Sequence, residues 1–461
     1  MVRAMNRIAM RLRLSIFAAA AVLAATPAFA QTSATSPGAS PSIAAEVQST
    51  DAIDRVWSGH SVRFALITTE KTIYIGYYDA SRQLTIASRP KAGGGWVYEK
   101  LDTWNGWDSH NYVALAADSA GRLHVTANMH ASPLTAFVSD ASGDVRTLKR
   151  VPVLVEAAAE RSMTYPVYLR DREGRLILKY RDGRSGNGNE VYDVLDAASG
   201  TWSHLLTTPL TDGEGQRNAY FMGPVLGPDK QFHIAWVWRE SPMAETNHDL
   251  SYAQSPDLVH WFRSDGAPLE LPIRLSKAEI VDPVPVRGGM INNNTVLGFD
   301  AEGRAMITYH KFDAAGNTQI YVARHEAKGW HIAQVSHWTN YRWDFGGGGS
   351  LNAELFVSGA EPAGKGLLRV PVIRRGQSID FIVRADTLET VEARPVVSLA
   401  DRLKKTIRVP DGMQLNVVDA AGDGDTLYAL AWPARPPHRD QPSPDIPDPT
   451  TLVFLTLKAG K

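Results

Sequence analysis

Apolar and polar positions along this chain repeat as hairpins, not as helices. One unit runs from His110 to Asp118 with near-continuous apolar character, turns at Ser-Ala-Gly121 and returns over residues 122–130. Comparable units occupy residues 60–78, 165–181, 220–239 and 292–311, with weaker copies near 352–374 and 415–432. No window of ordinary helix length keeps a 3.6-residue apolar period with capping residues. The pattern predicts an all-β chain built from a recurring two-stranded unit.

A second pair of more polar strands follows most hairpins and usually ends near a tryptophan. These segments span residues 84–96, 191–202, 250–261 and 320–330, and, without a tryptophan, 380–391. Each unit therefore has four strands and about 60 residues, a period typical of propellers. We expect a seven-bladed β-propeller of four-stranded blades, whose C-terminal run Thr451 to Leu457 closes the ring by joining the first blade.

The beginning of the chain has the pattern of a secretory signal. Four arginines precede the apolar stretch from Leu14 to Leu23, and Ala28-Phe-Ala30 is typical of a cleavage site. The apolar stretch is too short for a transmembrane helix. We therefore expect residues 1–30 to be a signal peptide, residues 31–52 a flexible leader, and residues 53–461 a single catalytic propeller domain. The protein would be periplasmic or secreted, cleaved after Ala30 and without a membrane partner.

Composition excludes several classes of function. The chain has no cysteine, which rules out disulfides, thiolate metal sites and thiol catalysis. Its net charge is −1, and removal of the four signal arginines leaves −5, which argues against a nucleic-acid partner. Twelve tryptophans and fifteen tyrosines suit an all-β protein with aromatic surfaces for sugars. Composition says nothing of the oligomeric state.

The open ends of the hairpins carry the candidate chemistry. Because the turns lie at one face of a propeller, the start of the first strand and the end of the second lie together at the other face, around a central funnel. The register of the units brings polar residues to that face in pairs: His110 with His130, Tyr165 with Arg181, Tyr220 with Arg239, Asn292 with His310, and His60 with Tyr77 and Tyr78.

These side chains favour elimination over ordinary glycoside hydrolysis. A typical glycosidase needs two carboxyl groups flanking the bond, and the paired positions supply none. Arg181 could neutralise the carboxylate of a uronate and so acidify the proton on C5. A histidine or tyrosine could take that proton, and a second could protonate the leaving oxygen on C4. Such a reaction requires no cofactor and no catalytic metal, and a structural calcium or zinc ion stays open.

Four motifs resemble a known family of propellers. They are Trp107-Asp-Ser-His110-Asn-Tyr112, Asn128-Met-His130-Ala-Ser-Pro-Leu134, Lys179-Tyr-Arg181-Asp-Gly183 and Asn247-His-Asp-Leu-Ser-Tyr252. In this order they resemble a BNR-repeat family that includes ulvan lyases, rhamnose–glucuronate lyases and related α-L-rhamnosidases. The resemblance runs from roughly Val56 to Gly347, and the rest matches only as propeller strands.

The resemblance implies a catalytic set made of His110, His130, Tyr165 and Arg181. His110 or His130 and Tyr165 would transfer protons, and Arg181 would face the carboxylate. Further contacts to an acidic oligo- or polysaccharide are expected from Arg239, Tyr220, His310, Arg342 and His60. The expected substrate is the L-rhamnose-α-1,4-D-glucuronate end of arabinogalactan side chains.

Three alternatives stay open at this point. The rhamnosidase branch resembles enzymes that hydrolyse the same linkage with one histidine, and Gly59-His60-Ser-Val resembles the segment that carries it. An ulvan lyase would eliminate from a different uronate polymer. A sugar-binding propeller without catalysis is the third.

Other polar residues have structural explanations. His124 and His233 occupy the same position in the repeat, so we expect both to be structural. Asp257 lies in a turn that resembles a degenerate Asp-box, where a side-chain cap is its expected role. The proline-rich segment from Pro433 to Pro449 is expected to be a surface loop or a blade insertion.

Overall fold

The computed structural model describes residues 45–459, so the predicted signal peptide and most of the predicted leader lie outside the described residues. Within this range the strands form seven antiparallel sheets. The described part also has one α-helix, Leu399–Leu403, and three short 3₁₀ turns, Val145–Thr147, Ala159–Arg161 and Ala244–Thr246. None of its helices is long and apolar enough to cross a membrane.

We number the sheets I to VII along the chain. Sheet I contains Ala65–Thr68, Thr72–Tyr78, Gln83–Pro90 and Val97–Trp104. Sheet II contains Ala114–Ala117, Leu123–Thr126, Ala136–Val138 and Lys149–Val151. Sheet III contains His130–Ser132, Met163–Arg170, Leu176–Arg184, Asn187–Asp196 and Thr201–His204. Sheet IV contains Asn218–Leu226, Phe232–Arg239, Asn247–Ser255, Trp261–Phe262, Pro268–Leu269 and Glu279–Asp282.

The remaining three sheets complete the described chain. Sheet V contains Val296–Phe299, Ala305–Phe312, Thr318–Glu326 and Gly329–Gln334. Sheet VI contains Leu355–Val357, Glu361–Gly364, Leu367–Arg374, Gln377–Arg384 and Thr390–Val396. Sheet VII contains Gln414–Ala421, Thr426–Ala434, Thr450–Ala459 and the early strand Ala45–Val56. A hairpin is present at each of the seven places where the sequence predicts one, which confirms the all-β prediction.

The first and the last described strands meet in sheet VII, which changes two expectations. Ala45–Val56 pairs antiparallel with Thr450–Ala459 and forms the outer strand of that sheet. The C-terminal run therefore does not join the first sheet; the early strand joins the last one. Residues 45–52, which were predicted as part of a flexible leader, belong to this strand. Their polar composition does not predict a strand, but backbone hydrogen bonds to the last strand of the sheet hold them in place.

Three of the hairpin turns share one motif, Asp-x-x-Gly-Arg. In sheet II the Asp118 carboxylate accepts from the Arg122 backbone N–H at 2.9 Å and from Arg122 Nε at 2.7 Å. Sheets III and V repeat these two bonds with Asp171 and Arg175 and with Asp300 and Arg304. The glycine has a positive φ in all three turns, 89°, 79° and 79°, which an L side chain rarely adopts.

The core lies between neighbouring sheets. Separate buried clusters join sheet II to III, III to IV, IV to V and V to VI, and the largest cluster joins sheet VII to sheets I and II. Ile53 and Val56 of the early strand belong to this largest cluster. Burial of one such side chain contributes roughly 1.5–3 kcal/mol, so the early strand is bound by packing as well as by its hydrogen bonds.

Candidate functional site

The open ends of sheets II, III and IV bring six of the predicted side chains together. The rings of His110 and His130 are 4.2 Å apart between centroids, and the Tyr165 ring lies 5.9 Å and 6.4 Å from them. Tyr220 lies 6.0 Å from Tyr165. The guanidinium of Arg181 lies 5.1 Å from the Tyr165 ring, and that of Arg239 lies 5.3 Å from the Tyr220 ring. We name this set, His110, His130, Tyr165, Arg181, Tyr220 and Arg239, the open-end cluster.

The two histidines meet across two sheets, not at the ends of one hairpin. The strands of sheet II are shorter than predicted and end at Ala114 and Thr126, which leaves His110 in the segment before the sheet. His130 begins a short strand of its own that pairs with sheet III, opposite Thr164. The side chains of His110 and His130 are therefore in contact, as expected, but the two residues are not paired on neighbouring strands of one hairpin.

A bulge in sheet III aims Tyr165 into the cluster. The register shifts between Thr164 and Val167, and Tyr165 itself has φ +57°. Asn128 and Ala131, on either side of His130, also have positive φ values of 58° and 49°. Such a conformation costs a bulky residue roughly 1–3 kcal/mol and is concentrated at functional sites. The bulge also moves the pairing by one residue, so that Arg181 stands opposite Thr164 and not opposite Tyr165.

Two carboxylates, which the sequence analysis missed, hold the histidines. Asp108 accepts from His110 Nδ1 at 2.7 Å with one oxygen and from His130 Nδ1 at 2.5 Å with the other. Asp440, from the predicted C-terminal surface loop, places its Oδ2 3.4 Å from His110 Nδ1. Asp108 stood in the quoted motif two residues before His110, whereas no local pattern marked Asp440.

These carboxylates favour the charged form of His110. Burial disfavours the imidazolium, but the hydrogen bonds and charges of Asp108 and Asp440 outweigh it and raise the pKa of His110 to about 9. Burial also opposes ionisation of the carboxyls, but His110 and His130 hold the pKa of Asp108 well below its usual range, and His110 lowers that of Asp440 to about 2. At neutral pH His110 is therefore an imidazolium that lies between the carboxylates of Asp108 and Asp440.

The two arginines of the cluster are bound by neutral groups. Arg181 donates from Nη1 to the Tyr220 hydroxyl at 3.2 Å and from Nη2 to Thr164 Oγ1 at 3.0 Å. Arg239 donates to the Ser241 and Pro242 carbonyls and to Asn292 Oδ1. None of these partners carries a negative charge, so both guanidiniums keep a positive charge that an anionic ligand could neutralise.

The two phenols differ in accessibility and in acidity. Tyr165 is half-buried, whereas Tyr220 is 4 % exposed and shares its hydroxyl with Ser185 at 2.6 Å as well as with Arg181. Burial and the neighbouring Tyr220 raise the pKa of Tyr165. Burial also opposes ionisation of Tyr220, but the charges of Arg181 and Arg239 outweigh it and lower the pKa of that phenol.

His60 and His310 lie outside the cluster, contrary to the expectation that they contact a ligand. Both are 1 % exposed, and burial lowers the pKa of each to about 4, so both are neutral at pH 7. His60 Nδ1 accepts from Trp57 Nε1 at 3.0 Å. His310 packs against Trp343 at 5.4 Å between ring centroids. His60 lies before the first strand of sheet I, and His310 lies within the strand Ala305–Phe312 of sheet V.

Arg342 lies in a cavity to one side of the cluster. Its guanidinium is stacked 3.7 Å from the Phe312 ring centroid and donates to the Gly316 carbonyl at 2.9 Å. The cavity measures about 470 Å³ and is also lined by Glu245, Arg287 and Phe345. Glu245 lies in the segment that follows Arg239, so the cavity adjoins the open end of sheet IV.

One group of metal-capable side chains occurs among the described residues, and it is part of the cluster: Asp108, His110 and His130. Tetrahedral zinc ligands at 2.0–2.1 Å from an ion lie roughly 3.3 Å apart. The contacts of Asp108 to the two histidines, 2.7 Å and 2.5 Å, are shorter and have hydrogen-bond length. The geometry therefore fits a hydrogen-bonded array better than a zinc site.

The residues that were expected to have structural roles, His124, His233 and Asp257, lie near the turn ends of the hairpins or in turns. His124 is buried and bonds Asp118 at 2.9 Å, and His233 is buried and bonds the Tyr252 hydroxyl at 2.6 Å. Asp257 accepts from the backbone N–H groups of Val259 and His260 at 2.9 Å and 2.8 Å, which confirms its predicted role as a cap.

Comparison with solved structures shows a shared fold. The polysaccharide lyase Uly1 aligns with a TM-score of 0.62 at 12 % identity, over 90 % of this chain and 99 % of that one. A PL25 ulvan lyase bound to -[GlcA(1-4)Rha3S]- aligns with a TM-score of 0.57 at 13 % identity, over 89 % of this chain and 95 % of that one. No curated protein matches the chain by sequence.

A family model confirms the kind of repeat that the motifs indicate. The model described as a BNR repeat-containing family member matches residues 72–338, a range that holds every residue of the open-end cluster. Because this range exceeds half of the chain, the protein belongs to the BNR repeat-containing family.

Proposed function

We propose that this protein is an exported polysaccharide lyase that cleaves the glycosidic bond to C4 of a uronate by β-elimination. The observation that carries the proposal is the open-end cluster itself. It joins two imidazoles, an accessible phenol and two guanidiniums whose bonded partners are neutral. A cationic pocket with proton-transfer groups is what elimination next to a carboxylate needs.

The reaction divides among these residues as follows. Arg181, with Arg239 beside it, neutralises the uronate carboxylate and so stabilises the negative charge that develops next to C5. A base, Tyr165 or His130, takes the C5 proton, and the electrons of that C–H bond form the C4–C5 double bond. The C4–O bond breaks, and the leaving oxygen takes a proton from a second group of the cluster. Solvent then returns one proton to the acid and removes one from the base.

The two carboxylates of the site do not suit a glycosidase. A hydrolase of that type needs one carboxyl group kept protonated, with a raised pKa, to act as the acid. Asp108 and Asp440 both have a lowered pKa, and both are bonded to His110. His60, which the hydrolytic alternative requires, is in the core.

The proposed substrate class is a rhamnose joined to O4 of a glucuronate. The ulvan lyase with the same fold binds a glucuronate–rhamnose-3-sulfate oligomer, and the rhamnose-capped ends of arabinogalactan carry rhamnose on glucuronate. We propose the arabinogalactan ends first and ulvan second. The adjoining cavity, which is lined by Arg287, Arg342, Glu245, Asp344 and two phenylalanine rings, would hold a neighbouring sugar.

The proposal includes the architecture and the location. The seven sheets would be the seven blades of one propeller, with sheet VII closed by the early strand. The signal pattern of residues 1–30 would direct export, to the periplasm or the medium.

The test is incubation of the purified protein with gum arabic and, separately, with ulvan, while ultraviolet absorbance and free rhamnose are followed together. We expect rhamnose to appear with the absorbance of an unsaturated uronate on gum arabic. If the absorbance rises with ulvan only, the protein is a lyase as proposed, but its substrate is ulvan and not the arabinogalactan ends. Rhamnose without absorbance would show hydrolysis, and binding without either signal would indicate a sugar-binding propeller; both results would contradict the proposal.

A further inference from the structure

The C-terminal loop crosses to the open-end cluster, where the sequence predicted a surface loop. Arg439 donates from Nη1 to the Gly346 carbonyl at 2.7 Å and to the Gly348 carbonyl at 3.2 Å, and its backbone N–H donates to the Ser350 carbonyl. Arg439 and Asp440 have φ values of +52° and +58°. These contacts and the left-handed turn fix the position of the Asp440 side chain.

The Asp440 carboxylate connects three segments of the chain. Its Oδ1 accepts from the backbone N–H and the hydroxyl of Ser109, both at 3.1 Å, and its Oδ2 accepts from the Ser350 N–H at 2.8 Å. The side chain is 12 % exposed and its Oδ2 lies 3.4 Å from His110 Nδ1. A carboxylate held by three donors is a fixed negative charge beside that imidazole.

Asp440 makes the two histidines unequal. Asp108 serves both, with one oxygen on each Nδ1. Asp440 lies within reach of His110 and not of His130 among the ion pairs of the described residues. The groups facing His110 are thus Asp108 before sheet II, Asp440 from the loop, His130 and Tyr165 from sheet III, and they include two negative charges.

We infer that Asp440 is a positioning residue that holds His110 as an imidazolium, and that His110 is the proton donor to the leaving oxygen. The inference rests on the proposed lyase function. Since Nδ1–H is committed to the two carboxylates, the transferred proton leaves from Nε2 as the C4–O bond breaks, and His110 becomes neutral. The raised pKa of His110 agrees with this assignment.

The first measurement is the titration of His110 itself, which needs no substrate. Protein labelled with ¹⁵N at the histidine rings is titrated by NMR, and the His110 signals are assigned by their loss in His110→Gln. Asp440→Asn removes the charge and keeps the shape, and asparagine tolerates the left-handed backbone at this position. We expect the pKa of His110 to fall by about one unit or more in Asp440→Asn.

The second measurement is the pH profile of elimination on the substrate that the wild type cleaves. Because the protonated form of His110 is the active one, activity is lost as pH rises through its pKa. Asp440→Asn should therefore move the basic limb of the kcat profile to lower pH and lower kcat at pH 8 by about tenfold, with KM changed by less than about twofold.

The matched control is Asp445→Asn on the same loop. Asp445 pairs with Arg435 at 2.5 Å and has no contact to His110 among the described ion pairs, so the titration and the kcat profile should stay as in the wild type. Thermal unfolding of both variants checks that the loop is folded.

Each outcome decides a part of the inference. An unchanged His110 titration in Asp440→Asn would show that Asp440 does not hold the charge. A shifted titration with an unmoved basic limb would show that the proton of His110 is not the one transferred. If the wild type performs no elimination, the donor role fails together with the proposed function, while the NMR comparison still decides the electrostatic part.

Discussion

The turn ends and the open ends of the same hairpins differ in how far they repeat. Sheets II, III and V close with the same Asp-x-x-Gly-Arg turn and the same two hydrogen bonds. At the open ends no such motif recurs, and two histidines, two tyrosines and two arginines meet instead. Repetition thus marks a way of closing a hairpin that these three sheets share, and departure from the repeat marks the candidate site.

A histidine–aspartate pair at each end allows the sharpest test. His110→Gln at the open end should lower kcat by about 10²–10⁴-fold, because the donor to the leaving oxygen is lost. His124→Gln at the turn end should leave kcat unchanged and lower the free energy of unfolding by about 1–3 kcal/mol, because the buried Asp118 carboxylate loses a donor. Initial rates of ultraviolet absorbance and urea unfolding measure both. Equal losses of turnover in two folded variants would erase the distinction.

The arginines give the next largest contrast. Arg181→Gln should lower kcat/KM by about 10²–10³-fold, as expected when a charge that stabilises the transition state is removed. Arg175→Gln removes a half-exposed turn arginine, whose ion pair with Asp171 contributes about 0–1 kcal/mol, and should leave kcat/KM unchanged. Steady-state kinetics and unfolding curves of the two variants make the comparison. If Arg181→Gln kept full kcat/KM, another group would have to hold the carboxylate.

Within the open end, the two phenols should separate by about tenfold. Tyr165→Phe removes the accessible hydroxyl and should lower kcat by about 10²-fold, the lower range for a proton-transfer group. Tyr220→Phe removes a hydrogen bond to Arg181 that contributes about 0.5–1.5 kcal/mol, so we expect kcat to fall by about 3–10-fold. Stopped or continuous absorbance assays suffice. The reverse order would identify Tyr220, whose pKa is lowered, as the base.

The smallest expected effect is on the pH dependence of the free energy of unfolding. The pKa of His110 is raised from 6.5 to about 9, so its contribution is complete below pH 6.5 and is lost as pH rises through about 9. The pKa of Asp440 is lowered from 3.8 to about 2, so its contribution is complete above pH 3.8 and is lost as pH falls through about 2. The difference in unfolding free energy between wild type and His110→Gln should be larger at pH 6 than at pH 10. Arg175→Gln serves as the control: its difference in unfolding free energy from the wild type should not be larger at pH 6 than at pH 10.

The sequence predicted the sheets and most of the cluster because both depend on local periodicity. The expected hairpin ends brought His110, His130, Tyr165 and Arg181 to one place, although both histidines lie outside the strands of sheet II and the bulge at Tyr165 shifted the pairing by one residue. His60 and His310 were expected at the same face, but both are buried: His60 lies before the first strand of sheet I, and His310 lies within the second strand of sheet V.

The carboxylates show where sequence reasoning stops. Asp108 precedes His110 by two residues and could have been found by asking which group orients each imidazole. Asp440 could not, because it is 331 residues from Ser109 and lies in a proline-rich segment without periodicity. Only the folded chain brings that loop across to Ser109 and Ser350.

The pairing of Ala45–Val56 with Thr450–Ala459 has a consequence for the order of assembly. Residue 45 stands opposite residue 459, so the ladder that completes sheet VII joins the earliest described strand to the latest one. Among the described residues this contact closes the longest loop and has the greatest entropic cost of loop closure, and contacts of this kind form late and slow folding. The strand that leaves the ribosome early must wait for nearly the whole chain, and until then both of its edges, and the apolar face of Ile53 and Val56, are open to other chains.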